Sequence, residues 1–334
     1  MAPAITEWAA GEKSGLVSIG SHSLFLHATG LERKPGDVAV IIIQGLACGV
    51  QEWAAVIRLL RPFVRLYSYE RAGFGRSDSS PEKPTGTAIA AELDLLLRNA
   101  GIAPPYVLVA HSWGGVLSRE FIERRLQSGG ADDVVGIVFV DANQERTLQV
   151  ADWRIFFASP VLKGLNTIEA LERHHGLTDA EWRDYLDEQR SAKHIKQAEV
   201  EYVEYPKSFP VLASKNQLYR MPPLLGSRPV CVVMAHSGRD FEKMFQTGVE
   251  KGNGTDEERA AFREDIRTWN GRDYGLQLEQ LSLSSNGRLR IAEGGHMIHI
   301  TQPEVVVDAV KWVLDDCMAQ TREVERAPYT SAML

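Results

Sequence analysis

Six consecutive apolar residues, Val38-Ala39-Val40-Ile41-Ile42-Ile43, run without a polar interruption and stop at Gln44-Gly45. The run is far too short to cross a bilayer. It has no hydrophilic face either, so it predicts a strand covered on both sides, as in the middle of a parallel sheet. Parallel neighbours cannot be joined by tight turns; each needs a crossover, usually a helix. The chain supplies them. Apolar runs recur at 16–19, 24–27, 64–69, 106–110, 134–140, 230–234 and 288–292, with helical patterns at 53–60, 86–100, 116–126 and from Pro303 to about 318. Strand and helix alternating in this way predict an α/β fold, with helices on both faces of a mostly parallel sheet.

Between 143 and 228 no strong strand run occurs, and Thr178-Asp179-Ala180-Glu181 reads as a capping box that opens a helix. That segment is a helical insertion. The expected organisation is a core of residues 1–142 and 229–320, a helical cap at 143–228, and a polar, loose tail over 321–334. A net charge of −7 gives no attraction to phosphate backbones or anionic lipid, so nucleic acid is not an expected partner. Three distant cysteines, Cys48, Cys231 and Cys317, suggest neither a disulfide framework nor a zinc motif. The opening residues carry Glu7, Glu12 and Lys13 without an apolar core, and no run is long enough to span a membrane. A cytosolic protein acting on a small molecule is the expectation, with no cofactor, no metal and the oligomeric state left open.

The chemistry gathers at strand ends. Ala110-His111-Ser112-Trp113-Gly114-Gly115 joins an apolar strand to a helix. A serine on such a turn presents its hydroxyl above the sheet, while small residues on either side let strand and helix approach. The bland alternative is a helix-capping serine. Ser112 and Gly114 make the segment similar to the G-x-S-x-G elbow of the α/β-hydrolase family, with Ala110 in place of the first glycine. The resemblance extends over about residues 15–318 and implies a mostly parallel eight-stranded sheet with an inserted helical cap and Ser112 as nucleophile. It also implies an oxyanion hole made by the main-chain N–H groups of Leu46 and Trp113, although Gln44 stands where the family has histidine. Cys48 lies close by and reads as a small buried thiol. Tyr69-Glu70-Arg71-Ala72-Gly73-Phe74-Gly75-Arg76-Ser77-Asp78 is similar to the family's D-x-x-G-x-G-x-S turn, and a structural role is expected of it.

In Gly294-Gly295-His296-Met297-Ile298-His299, the resemblance makes His296 the catalytic base, with His299 packing nearby. The acid is open between two residues. Asp141 ends the 134–140 strand, where ligands meet a parallel sheet; Asp240 lies in the loop that the family uses most often, but several residues past the strand. Asp141 is preferred, Asp240 is the alternative, and Glu145 is a further candidate. Together these residues imply a serine hydrolase that cleaves an ester, lactone or thioester of a medium-sized apolar molecule through an acyl-Ser112 intermediate. Two other expectations stay open: a non-hydrolytic enzyme on the same fold, performing condensation, cyclisation or carbon–carbon cleavage, and a ligand-binding receptor. Aromatic and aliphatic residues of the cap, among them Trp153, Phe156, Phe157, Tyr185, Phe209 and Leu212, are expected to divide between a pocket lining and a small core of the cap itself.

Overall fold

The computed structural model describes residues 6–165 and 174–326. Its centre is one sheet of eight strands: β1 (Lys13–Ser18), β2 (Ser23–Gly30), β3 (Ala39–Ile43), β4 (Arg65–Glu70), β5 (Tyr106–His111), β6 (Val134–Val140), β7 (Val230–Met234) and β8 (Gly287–Ile291). Their spatial order is β1-β2-β4-β3-β5-β6-β7-β8. β2 pairs antiparallel with both β1 and β4, whereas every pairing from β4 to β8 is parallel. β1, at the edge, alternates between half-buried and exposed residues, while β3, β5 and β7 are buried throughout. The unbroken apolar run thus occupies a central strand, as a sequence without a polar face must.

Alternate residues of one strand feed two different cores. Ile41, Ile43, Leu108 and Ala110 join Ile89, Leu93, Val116 and Phe121 of helices α2 (Gly86–Asn99) and α3 (Gly114–Gln127). Val40, Ile42, Val107 and Val109 face the other way, toward Trp53 and Val56 at helix α1 (Ala54–Leu60) and toward Val306, Val310 and Val313 of the last helix. Truncating a fully buried isoleucine such as Ile42 to alanine would cost about 2–5 kcal/mol.

Two helical excursions leave the sheet. Between β6 and β7 come short turns at Thr147–Val150 and Arg154–Ala158, then α4 (Asp179–Arg190) and α5 (Ala192–Ala213). α4 opens on the expected capping box, with the Thr178 and Glu181 side chains bonded reciprocally to main-chain N–H groups. Between β7 and β8 lie α6 (Ser237–Glu250) and α7 (Asp256–Glu279). Side-chain packing crosses the boundary expected at 228: Phe156, Val161 and Leu162 cluster with Phe241, Phe245, Phe262 and Trp269. Phe209 and Leu212 of α5 belong to the large core on the α2–α3 face, not to a separate core of the insertion. The last helix, α8 (Pro303–Arg326), continues past 320, where a loose tail was expected to start. Residues 327–334 lie outside the described part.

Candidate active site

The turn between β5 and α3 holds Ser112 at φ 52°, a left-handed conformation that costs a non-glycine residue energy and is kept only where surrounding bonds enforce it. Those bonds are present. The Ser112 N–H donates to Val140 O at 3.2 Å, and its carbonyl accepts from Asn143 N at 2.7 Å and Gly115 N at 3.0 Å. A methyl group on Gly114 would stand 2.4 Å from Ile43 O, and one on Gly115 would stand 2.5 Å from Asn143 O, so both positions require glycine for the close approach of helix to sheet. Ala110 is wholly buried in β5 and tolerates its extra methyl there. Among the described residues the Ser112 hydroxyl makes no hydrogen bond, and Ser112 is 9% exposed, toward a cavity.

Asp141 follows β6 directly, also left-handed, at φ 42°. Its Oδ1 accepts from Ala235 N at 2.9 Å, and its Oδ2 accepts from Ser237 Oγ at 2.9 Å and from His296 Nδ1 at 2.7 Å. A carboxylate can only accept, so the imidazole proton sits on Nδ1 and the Nε2 lone pair is left for chemistry. Asp240 takes a different position. Its Oδ2 accepts the main-chain N–H of His296 at 3.0 Å, which holds the loop and not the ring. Glu145 is remote from the imidazole, in a buried ion pair with Arg119. Burial pulls the His296 pKa down, but the bond and charge of Asp141, helped by Asp240 and Asp273, outweigh it, and the net shift is upward.

The loop after β3, expected to supply an oxyanion hole, is anchored from below. Gln44 replaces the family histidine and donates from Nε2 to Tyr69 O at 2.8 Å. Arg71 donates to Gly45 O at 2.8 Å and forms a two-pronged pair with Glu201 of α5, at 2.7 and 2.8 Å; Glu201 also accepts from Ala47 N at 2.8 Å. Among the described residues neither Leu46 N–H nor Trp113 N–H is engaged in a hydrogen bond. Glu70 closes its own turn by accepting from Arg76 N, with Gly73 and Gly75 at positive φ.

These groups open on a cavity of about 580 Å³. Ser112, His296, Asp141, Leu46 and Cys48 line it, as do Trp153, Phe157 and Tyr185 of the first excursion and Trp269 of the second. Phe156 lies behind them, stacked on Phe241 at 4.0 Å. Sequence reasoning missed Ser237, which supports the Asp141 carboxylate, and Asp273 of α7. Asp273 is 9% exposed; burial, then the Asp141 charge, raises its pKa to about 7. In a helix full of exposed Asp, Glu and Arg, nothing in the sequence separates it from its neighbours. His299 packs behind the site at 0% exposure, its ring 4.1 Å from that of His111. Cys48, expected as a small buried thiol, is half-buried, and Glu52 and a ring nitrogen of His111 lie beside it.

Residues 24–309 match the family model described as "Alpha/beta hydrolase family". A Gibberella zeae protein named AB hydrolase superfamily protein is 31% identical over 303 residues, covering 87% of this chain and 91% of its own length. A Hormonema carpetanum protein named as a probable transporter is 29% identical over 316 residues; 92% of this chain aligns, but it spans only 44% of that longer relative. Among solved structures, a putative lipase from Acinetobacter baumannii superposes with a TM-score of 0.58 at 14% identity, over 94% of each chain.

Proposed function

This chain belongs to the alpha/beta hydrolase family, and from that premise we propose that it is a serine hydrolase cleaving an ester, lactone or thioester of a medium-sized, largely apolar molecule. The observation that carries the proposal is the 2.7 Å bond from His296 Nδ1 to Asp141, on the same cavity as Ser112, whose backbone is strained and whose hydroxyl has no hydrogen-bond partner among the described residues. Ser112 gives its proton to His296 Nε2 as its oxygen attacks the substrate carbonyl. The N–H groups of Leu46 and Trp113, free among the described residues, receive the oxyanion, and the imidazolium, held by Asp141, returns the proton to the leaving group. Water then enters by the same route in reverse and releases the acid. Asp240 fixes the loop that carries His296.

The cavity's wall of Trp153, Phe157, Tyr185 and Trp269 supports an apolar acyl or alcohol portion of a size that about 580 Å³ encloses. We further propose that the excursions before β7 and before β8 act jointly as the cap, since their side chains share one core. Among the described residues no helix is long and apolar enough to cross a membrane; a cytosolic site of action is the reading carried forward, to be checked by cell fractionation. The functional test is a fluorophosphonate probe followed by peptide mapping. Label on Ser112, lost in Ser112→Ala and strongly slowed in His296→Ala, is the expected result. An unlabelled, folded wild-type protein would overturn the hydrolase reading, and full turnover of the true substrate by Ser112→Ala would favour the non-hydrolytic one.

A further inference from the structure

Beneath the oxyanion loop lie three side chains that the hydrolytic route leaves unused. Cys48 follows β3, Glu52 sits in the helical turn Val50–Trp53, and His111 ends β5. The Cys48 sulfur, a carboxylate oxygen of Glu52 and a ring nitrogen of His111 all lie within 4.8 Å of one another. His111 is 1% exposed, and its Nε2 stands 3.0 Å from the main-chain oxygen of His296. A carbonyl only accepts, so the proton is on Nε2 and Nδ1 carries a lone pair. Among the described residues that lone pair has no partner. It is aimed at the space beside Gly45, where a methyl group would stand 3.0 Å from Nδ1 and 3.2 Å from Cys48 Sγ.

We propose that Cys48, Glu52 and His111 form a binding site for a zinc-class divalent cation, and that loading this site inhibits the enzyme. The inhibitory half rests on the acyl-serine reading; the binding half does not. Sulfur, imidazole nitrogen and carboxylate oxygen form a zinc donor set, whereas magnesium and calcium favour oxygen alone. A point shared by three atoms at this spacing is no more than about 2.8 Å from each, so each donor moves about 0.5–0.8 Å to reach zinc bonding distance. A thiolate and a carboxylate cancel the two charges of the ion, which suits a buried place.

The outer contacts that hold metal ligands in line are also in position. His111 donates its other N–H to a carbonyl. Glu52 Oε1 accepts from Gln189 Nε2 at 3.2 Å, and its Oε2 lies 3.3 Å from His299 Nε2. Cys48 and His111 both line the cavity, which gives the ion its path and leaves a further coordination position for water. An ordinary cysteine thiol is protonated at neutral pH, so binding breaks one S–H bond, forms one metal–sulfur bond and releases one proton to water. Inhibition follows from position. Cys48 Sγ lies 3.3 Å from Leu46 O, and His111 is the residue before Ser112, so drawing both toward an ion displaces an oxyanion donor and the nucleophile together.

The test uses full-length protein, stripped with a chelator, kept reduced without added thiols and titrated with Co(II) alone. The expected result is an ultraviolet thiolate-to-cobalt band that saturates at one equivalent, is displaced by Zn(II), and accompanies release of about one proton per ion by calorimetry in two buffers. The band should disappear in Cys48→Ala and persist in Cys231→Ala. Glu52→Gln, which keeps the shape of the side chain, should weaken binding at least about 10-fold. No band at saturating Co(II), or the same band in a Cys48→Ala protein that melts like wild type, overturns the site. If the band forms as expected but Zn(II) leaves fluorophosphonate labelling of Ser112 unchanged, the inhibitory half is wrong. If metal-free wild type is never labelled, the hydrolase reading has failed and spectroscopy alone decides the site.

Discussion

Replacing Asp141 by asparagine separates the two candidate acids. Asp141 Oδ1 accepts from Ala235 N, so an asparagine keeps its oxygen there and turns its NH2 toward Ser237 and His296. The Ser237 hydroxyl can rotate to accept. His296 Nδ1 can accept only by shifting its proton to Nε2, the tautomer that cannot take the serine proton. With the fold preserved and the base in the wrong tautomer, kcat should fall by about 10⁴-fold, or about 5.5 kcal/mol of barrier. Asp240→Asn should lose no more than about 10-fold, since an amide oxygen still accepts the His296 main-chain N–H. The pH profile gives a second reading. His296 acts as base only when neutral, so its raised pKa puts the acid limb of kcat/KM above the ordinary imidazole range. Removing the Asp141 charge must move that limb to lower pH. The assay is p-nitrophenyl ester hydrolysis from pH 5 to 9, alongside labelling rates and thermal melts. A near-normal rate for Asp141→Asn, or a larger loss for Asp240→Asn, refutes this account of the base.

Asp273, with a pKa raised to about 7, binds a proton in the folded chain that it releases when unfolded. Its contribution is fully present below the unfolded carboxylate range and is lost as pH rises through about 7. Melting of wild type from pH 5 to 8 should accordingly lose more stability than melting of Asp273→Asn. Gly115→Ala forces a methyl to 2.5 Å from a backbone oxygen and should lower stability by about 2 kcal/mol or more in urea unfolding. Glu201→Gln leaves the Arg71 guanidinium buried and half-paired; a loss of about 3–5 kcal/mol is expected, together with a fall in kcat beyond any rise in KM. Equal kcat for this variant and wild type would mean that the anchor does not shape the oxyanion loop.

The sheet was legible because its central strands β3, β5, β6 and β7 are apolar on both faces, and the candidate site residues because several of them follow the ends of such strands. The candidates Ser112 and His296 came from the strand–turn–helix context, the neighbouring glycines and the family resemblance together. The partner of His296 was harder, since Asp141 and Asp240 both approach it and only coordinates separate a bond to the ring from a bond to the main chain. Glu201, Ser237 and Asp273 were invisible for a common reason. Each is polar in a polar stretch, and its burial is decided by elements far along the chain. The packing of Phe156 with Phe241 and Trp269 likewise depends on a contact between two excursions that sequence order keeps apart.

Glu201, Tyr205 and Ser208 occupy one stripe of α5 and grip Arg71, Asn143 and Trp113 in turn. Swinging that helix outward would tear three buried polar contacts from the very segments that shape the reaction. It is therefore a fixed wall, not a door. Substrate access that leaves α5 in place is expected where other cavity-lining side chains meet solvent, at Phe157, 48% exposed, and at Arg239 and Lys243.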